Sequence, residues 1–223
     1  LLGALLGKVH GHKIAHVESG LRSFNLFHPF PEEIVRILTF YLSDIYFCPA
    51  DWAVENLKKF SGKKINTHGN TLFDALQEAK QREAEVEVEI PTEKYAVLSV
   101  HRFENIFNEK SLKLLVQYAR MMAKKMKVLF ILHPPTERRL RNSGLLKILE
   151  KTANIELRPR YDSFRFIKLV SHAEFLATDG GSNQEECYYM NKPCLLLRQH
   201  TERQEGLGEN AFLSKLKKKR VLF

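Results

Sequence analysis

Short apolar runs alternate with longer amphipathic segments along nearly the whole chain, and this alternation restricts the fold more than any other feature. Such runs are typical of buried strands, and strands that alternate with helical segments are typical of βα units in a parallel sheet. The predicted strands cover residues 13–17, 44–48, 64–67, 95–100, 127–132, 154–157, 174–178 and 193–197. The predicted helices cover residues 31–42, 49–60, 71–85, 109–125, 140–151, 163–170 and 184–190. The sequence therefore predicts an α/β fold with parallel sheets.

A change of composition near the middle of the chain indicates a boundary between two domains. Residues 83–93 are rich in Glu and Val and end near Pro91. We therefore predict an amino-terminal domain over residues 1–85 and a carboxy-terminal domain over residues 86–223. The apolar residues 1–7 lack a basic leading region and a cleavage site, so they predict the end of a buried helix and not a signal peptide.

The composition is that of an ordinary globular protein, with 44% hydrophobic and 27% charged residues. No apolar run approaches the roughly 20 residues that span a bilayer, so we expect no membrane partner. The three cysteines, Cys48, Cys187 and Cys194, are odd in number and match no metal-binding pattern. They favour reduced thiols in the core, as in cytoplasmic proteins, over a disulfide.

The net charge of +9 permits anionic partners, but much of the excess is local. Five positive charges lie within residues 215–220, where an exposed tail explains them. No aromatic platform for single strands and no zinc-finger spacing accompanies the charge, so we expect no nucleic-acid partner. His10, His12 and His16 lack a carboxylate or cysteine that would complete a metal site, so we expect no metal.

Polar residues follow five of the predicted strands. Ligands of open parallel sheets bind outside the carboxyl ends of the strands, so these positions favour a cleft for a polar, anionic ligand. The residues in question are Glu18 and Arg22, then His101, Arg102 and Glu104, then His133, then Asp179 to Ser182, and finally Arg198 with Thr201 to Arg203.

The turn of Gly180, Gly181 and Ser182 leads into a predicted helix, whose first N–H groups and dipole favour phosphate. A tight βα turn is the alternative interpretation. Glu186 and its neighbour Glu185 can accept hydrogen bonds from ribose hydroxyls, or they are surface acids that suit the helix dipole.

Two histidines also follow strands. His101 with Arg102 can neutralise a diphosphate, although a single histidine after a strand is often structural. His133 precedes Pro134 and Pro135, and it either stabilises a turn or faces a ligand.

Eight short stretches, taken in order, carry a resemblance to a known family. They are His16-Val17-Glu18-Ser19-Gly20-Leu21-Arg22, Pro31-Glu32-Glu33 with Arg36, Gly69-Asn70-Thr71 with Asp74-Ala75, His101-Arg102 with Glu104-Asn105, His133-Pro134, Asp179-Gly180-Gly181 with Gln184-Glu185-Glu186, Lys192-Pro193, and Thr201-Glu202-Arg203. With them the chain resembles the non-hydrolysing UDP-N-acetylglucosamine 2-epimerases.

The resemblance implies two Rossmann-like domains of the GT-B type with a cleft between them, the amino-terminal domain being incomplete. It implies conversion of UDP-N-acetylglucosamine to UDP-N-acetylmannosamine, for cell-surface polysaccharides, without any cofactor. In the family the C2 proton is removed, UDP is eliminated from C1, and UDP adds back after a proton returns to the other face. The corresponding expectations are a cytoplasmic location, a UDP-sugar as the substrate, and a homodimer in the full-length enzyme.

The resemblance also assigns roles to individual residues. Glu18 and Glu32 match two of the family's catalytic carboxylates, and His101 matches a histidine implicated at the phosphates. The remaining candidates are assigned to substrate binding: Arg22, Arg102, His133, Gly180, Gly181, Ser182, Glu186, Arg198 and Arg203.

Four departures from the family pattern bear on activity. The family's third catalytic acid, an Asp in a Gly-Asp pair upstream of His16, has no counterpart. Asp179-Gly180-Gly181-Ser182 stands where Asp-Ser-Gly-Gly is usual, and Val35 stands where Asn is usual. The final crossover helix is missing as well. We therefore expect an internal fragment of a longer enzyme, with little activity alone.

Other functions stay open at this point. Related epimerases act on diacetamido uronic acid nucleotides or hydrolyse the nucleotide sugar, and Glu18 with Glu32 does not separate these outcomes. A glycosyltransferase of similar fold would need acceptor-binding features that the sequence does not offer. A non-catalytic module that binds nucleotide sugars is a further alternative.

Overall fold

A computed structural model of the chain describes residues 1–26 and 31–216. Most of the predicted basic tail therefore lies outside the described residues. The chain divides into two compact units, Leu1–Asp74 and Ala75–Phe223. Each unit contains a parallel sheet with helices packed on it, so the predicted α/β class is confirmed.

The first unit contains a three-stranded parallel sheet in the order β1-β2-β3. Its elements are α1 (Leu2–Val9), β1 (Ala15–His16), α2 (Glu32–Leu42), β2 (Ile45–Cys48), α3 (Asp51–Asn56) and β3 (Lys63–Asn66). Phe40, Tyr46 and Leu57 form its core together with Cys48 and Ala53. These residues come from the apolar faces of α2 and α3, from the C-cap residue of α3 (Leu57), and from alternate positions of β2, as the strand period requires.

Helix α1 differs from its prediction in one respect. The apolar residues at the start of the chain form a helix, as expected, but none of the helix's residues is buried. Leu2 and Val9 are 70% and 73% exposed. The helix is joined to the sheet by polar contacts instead, since Lys8 Nζ lies 2.6 Å from the Asp44 carboxylate, which also accepts the N–H of Ile14.

The second unit contains a six-stranded parallel sheet in the order β6-β5-β4-β7-β8-β9. Its strands are β4 (Tyr95–Val100), β5 (Lys127–Leu132), β6 (Ile155–Pro159), β7 (Phe175–Thr178), β8 (Cys194–Leu196) and β9 (Ala211–Leu213). Its helices are α4 (Thr71–Gln81, which begins in the first unit), α5 (Phe103–Ile106), α6 (Glu109–Ala123), α7 (Pro134–Asn142), α8 (Leu145–Glu150), α9 (Ser163–His172) and α10 (Gly181–Tyr189). Numbered from β4, the strand order is 3-2-1-4-5-6, which is that of a Rossmann fold.

Strand β4 lies inside this sheet and all six of its residues are buried. Ala96, Leu98 and Val100 face the core formed with α6 and α8, whereas Tyr95 and Val97 face the core formed with α9 and α10. Burial on both faces explains the continuous apolar run in the sequence. The three cysteines are buried and free, as predicted.

The predicted helix over residues 140–151 is wrong, because this region contains two helices. Helix α7 begins at Pro134 and α8 ends at Glu150, and Gly144 between them has a left-handed φ of 72° that interrupts the helix. Two short elements, α5 and β9, were not predicted. Helix α10 begins at Gly181, three residues before its predicted start.

The segment between the two units is attached to the second one. Leu76 and Ala79 of α4 pack against Ile167 of α9. Lys168 Nζ then donates to the carbonyl oxygens of Glu83 and Val86, both at 2.8 Å. Contacts thus group residues 75–85 with the second unit, although the composition placed the boundary after residue 85; the domain limits themselves stay a prediction.

Candidate functional site

The loop after β1 holds Glu18 in an unusual backbone conformation. Its φ is 57°, in the left-handed region that residues other than glycine, asparagine and aspartate rarely occupy. The following residue, Ser19, is fully buried and donates its N–H to the Phe47 carbonyl oxygen at 2.9 Å. This contact anchors the loop to β2. Backbone strain of this kind is concentrated at functional sites, so the geometry supports a functional hypothesis for Glu18.

Glu18 lines a cavity of about 400 Å³ in the first unit. Asn70 Nδ2 donates to Glu18 Oε1 at 3.0 Å and orients the carboxylate. Thr67, His68 and Asp74 contribute further polar groups to the wall. Apart from Glu18, these residues come from the turn after β3 and from the first turn of α4. The sequence linked part of this region, Gly69 to Thr71 with Asp74, to the family resemblance but selected no site residue from it.

The acidic pair at the start of α2 divides into two different environments. Glu32 is 43% exposed and pairs with Arg36 at 2.7 Å, whereas Glu33 is fully buried. Arg22 Nε lies 2.5 Å from Glu33 Oε1, and Ser23 N donates to Glu33 Oε2 at 3.1 Å. Burial alone would raise the pKa of Glu33, but these two hydrogen bonds and the positive charges of Arg22 and Arg36 together outweigh it and lower the pKa. The sequence singled out Glu32, while Glu33 is the residue that fixes the loop carrying Arg22.

In the second unit the site residues meet where the strand order reverses, at the carboxyl ends of β4 and β7. The Asp179 carboxylate, fully buried at the end of β7, accepts three hydrogen bonds. They come from His101 N at 2.9 Å, Arg102 N at 3.0 Å and Asn105 Nδ2 at 2.9 Å. Asp179 therefore fixes the loop that carries His101 and Arg102. Asn105 lies 74 positions away, so this contact could not be recognised along the sequence.

His101 and His133 stack with ring centroids 4.6 Å apart and an interplanar angle of 25°. His101 Nδ1 lies 3.5 Å from Asp179 Oδ1, and His133 Nε2 lies 3.2 Å from Ser99 Oγ. Burial, followed by the neighbouring His101, lowers the pKa of His133 to about 4. His133 is therefore neutral at neutral pH, and it can act there as a hydrogen-bonding group but not as a cation.

The glycine turn after β7 begins helix α10. Gly180 is the N-cap residue and Gly181 is the first residue of the helix. Free N–H groups at a helix start attract phosphate. Ser182 is exposed in the first turn, and Glu186 follows one turn later. Burial raises the pKa of Glu186, and a hydrogen bond from Asn183 partly offsets this effect.

Three arginines lie beside this helix start, and two of them are almost fully buried. Arg198 Nη2 lies 3.0 Å from Glu202 Oε2, and Arg102 Nη2 lies 3.4 Å from the other oxygen of that carboxylate. Arg203 forms an ion pair with the buried Glu185 of α10. These contacts connect the segment after β8 to the β4 loop and to α10.

Arg198 has unused hydrogen-bonding capacity. Its side chain is 5% exposed, and within the described part of the chain its buried Nε and Nη1 have no hydrogen-bond partner. Buried donors of this kind are costly unless an acceptor binds them. An anionic acceptor that reaches these two donors would satisfy them.

The structure thus brings His101, Arg102, His133, the glycine turn and Arg198 to one edge of the second unit, as the strand-end pattern predicted. Glu18, Arg22 and Glu32 belong to the first unit. In residues 1–26 and 31–216 there is no group of three or more His, Cys, Asp or Glu side chains suited to a metal ion. Within the same ranges, every helix is too short or too polar to cross a membrane.

Comparison with known proteins gives consistent results. A profile of the UDP-N-acetylglucosamine 2-epimerase family matches residues 1–222. A UDP-N-acetylglucosamine 2-epimerase of Methanococcus maripaludis is 37% identical in an alignment of length 222, which covers 95% of this chain and 60% of the relative. A UDP-2,3-diacetamido-2,3-dideoxy-D-glucuronate 2-epimerase of Pseudomonas aeruginosa is 32% identical in an alignment of length 210, which covers 91% of this chain and 56% of the relative.

A solved structure has a similar fold. The crystal structure of Methanocaldococcus jannaschii UDP-GlcNAc 2-epimerase, in complex with UDP-GlcNAc and UDP, matches with a TM-score of 0.89 and 31% identity. The match covers 99% of this chain and 63% of that one, so the chain spans about three fifths of the length of such relatives. On the profile match and these relatives, the chain belongs to the UDP-N-acetylglucosamine 2-epimerase family.

Proposed function

We propose that this chain binds a UDP-sugar and contributes to its epimerisation at C2, converting UDP-N-acetylglucosamine to UDP-N-acetylmannosamine. The observation that carries this function is Arg198, whose buried Nε and Nη1 have no partner in the described residues and whose ion-pair partner Glu202 lies against Gly181 at the start of α10. A diphosphate is an acceptor that satisfies such donors and also suits the helix N-terminus.

The roles within the second unit follow from position. The diphosphate is surrounded by cationic or polar side chains and by the glycine turn: His101, Arg102, Arg198 and Arg203, with Gly180, Gly181 and Ser182. Cationic groups and N–H donors there stabilise the charge that develops on UDP as it leaves C1. The remaining two candidates act beside it: Glu186 accepts hydrogen bonds from the ribose, and His133 orients His101 by stacking.

The first unit supplies the acid and base groups. Glu18 and Glu32 exchange protons at C2, and Arg22 binds the substrate near them. Removal of the C2 proton and departure of UDP from C1 leave a C1–C2 double bond. A proton then returns to the opposite face of C2 and UDP adds back to C1, so the reaction consumes no cofactor. Cytoplasmic localisation, a homodimeric state and a place in surface-polysaccharide synthesis stay predictions from the family resemblance.

Calorimetric titration with UDP tests the binding site. Replacing Arg198 by Met removes charge-assisted hydrogen bonds worth about 1.5–3 kcal/mol, so the dissociation constant should rise about 10- to 100-fold. Arg141→Met is the matched control, because Arg141 is exposed on α7 and pairs with Glu137. Equal UDP affinity in both variants, or no binding by the unmodified chain, would refute the assignment.

Proton NMR with UDP-N-acetylglucosamine in heavy water then tests the chemistry. Deuterium at C2 together with a manno signal would establish epimerisation. Release of free N-acetylmannosamine would identify a hydrolysing relative, and turnover of only the diacetamido uronate nucleotide would identify that substrate class. Binding without any exchange would identify the chain as a nucleotide-sugar binding module.

A further inference from the structure

Asn183 connects the two ends of the first turn of α10. Thr178 Oγ1 accepts the N–H of Gly180 at 3.0 Å and donates to Asn183 Oδ1 at 3.0 Å. Asn183 Nδ2 donates in turn to Glu186 Oε2 at 2.9 Å. A continuous line of hydrogen bonds therefore runs from the backbone of the glycine turn to the carboxylate of Glu186.

These hydrogen bonds require a glycine at position 180. Its φ of −81° is ordinary, so no special backbone conformation explains the residue. A Cβ there would lie 2.6 Å from Asn183 Oδ1 and 3.3 Å from His101 Cε1, which is too close for the first contact. Gly180 thus leaves room for the amide of Asn183, and this accounts for a glycine where the family pattern has a serine.

The partly buried carboxylate of Glu186 depends on the Asn183 amide. Burial raises the pKa of Glu186 and thereby favours its neutral form, whereas the hydrogen bond from Asn183 favours the ionised form. An ionised carboxylate accepts hydrogen bonds at both oxygens. With Oε2 held by Asn183, Oε1 keeps its capacity to accept a hydrogen bond from a ligand.

We infer that Asn183 is a positioning residue, which holds the Glu186 carboxylate in the orientation that receives the ribose hydroxyls and couples it to the phosphate-binding turn. This inference rests on the proposed function for the identity of the ligand. Asn183 acts through Glu186, so its removal should weaken nucleotide binding only where a ribose hydroxyl and the Glu186 carboxylate are both present.

A double-mutant cycle tests this dependence. Asn183→Leu preserves volume and should raise the dissociation constant for UDP about tenfold, the effect of one hydrogen bond to a charged group. Binding of 2′,3′-dideoxy-UDP should change less than about twofold, since it lacks the hydroxyls. In a Glu186→Gln background, Asn183→Leu should cause no further loss. Asn142→Leu, at an exposed position of α7, is the matched control.

Equal weakening for UDP and dideoxy-UDP, or independent effects of the two substitutions, would overturn the inference. Asn183→Asp provides a second variant, because it keeps the acceptor for Thr178 but places a carboxylate against Glu186. It should weaken UDP binding at least as much as the leucine does. Equal affinity of Asn183→Asp and the unmodified chain would also overturn the inference.

A measurement without nucleotide separates this inference from the proposed function. Amide hydrogen exchange of Gly180 should be faster in Asn183→Leu than in the unmodified chain, because the Thr178 hydroxyl loses its acceptor. Unchanged exchange would overturn the inference even if UDP binds. Faster exchange in a chain that does not bind UDP would refute the proposed function and leave the Asn183 connection supported.

Discussion

The substitution Asp179→Asn gives the sharpest test of how the second unit is held together at its site. The carboxylate accepts the N–H groups of His101 and Arg102 and one N–H of the Asn105 side chain. Asparagine has nearly the same shape but only one acceptor oxygen. If that oxygen keeps the His101 contact, the new NH₂ group points at two donors, Arg102 N and Asn105 Nδ2.

The size of the effect follows from these donors. An unsatisfied buried group costs about 1–3 kcal/mol, which gives about 2–6 kcal/mol for two. Asn105 keeps its second contact with the Leu197 carbonyl oxygen at 2.9 Å, and the Arg102 N–H is only partly buried, so the lower half applies. We expect the free energy of unfolding to fall by about 2–4 kcal/mol, a large share of a typical total of about 5–15 kcal/mol.

Urea unfolding followed by far-UV circular dichroism measures this change. Asp162→Asn is the control, because Asp162 caps α9 at an exposed position and asparagine is an equally good N-cap residue. The control should change the free energy by less than about 0.5 kcal/mol. Fluorescence of Trp52, the single tryptophan, reports the first unit separately. If Asp179→Asn loses no more stability than the control, the carboxylate does not fix the β4 loop.

Three further predictions concern stability. The pKa of His133 is lowered to about 4, so the free energy of unfolding should fall as the pH falls from about 6.5 towards 4, because the unfolded chain takes up the proton first. In urea unfolding between pH 7 and pH 5, His133→Phe should flatten this pH dependence. Glu33→Gln leaves its arginine partners without a buried counter-charge and should reduce the free energy of unfolding, measured in urea, by about 2–4 kcal/mol. Glu32→Gln should reduce it by less than about 1 kcal/mol, and equal losses in the two variants would contradict the burial argument. Gly62→Ala places a Cβ 2.4 Å from the Tyr46 ring, so it should reduce the free energy of unfolding by about 1–3 kcal/mol and lower the melting temperature. Gly3→Ala, in a helix with open space at that position, should not lower the melting temperature.

The strands were predictable because burial leaves a direct trace in the sequence. The run from Tyr95 to Val100 is apolar at five of six positions, and all six are buried on two faces of a sheet. Strand β9 left no such trace, since it has three residues and lies at the sheet edge, where Phe212 is 53% exposed. Helix α5 has four residues, too few for a helical period to be recognised.

The sheet edge at which the candidate residues lie was predictable, whereas the contacts that organise these residues were not. The carboxyl ends of parallel strands lie at one sheet edge, so residues that follow apolar runs, such as His101 and Arg198, could be selected from the sequence. Their organising partners depend on contacts between distant segments. Asn70 lies 52 positions from Glu18, and Asp179 lies 78 positions from His101. No local pattern records such pairs.

The two units hold their candidate residues by different physical means, and this difference bears on how each responds to substitution. Glu18 occupies a left-handed conformation that costs a residue with a Cβ roughly 1–2 kcal/mol, so its carboxylate is retained at the expense of stability. Asp179 is buried and accepts three hydrogen bonds, so its carboxylate serves stability and site geometry together. Replacement of Glu18 should therefore impair function while leaving the fold intact, whereas replacement of Asp179 should impair both. Loss of activity in variants of the second unit can be assigned to chemistry only after their stability is known.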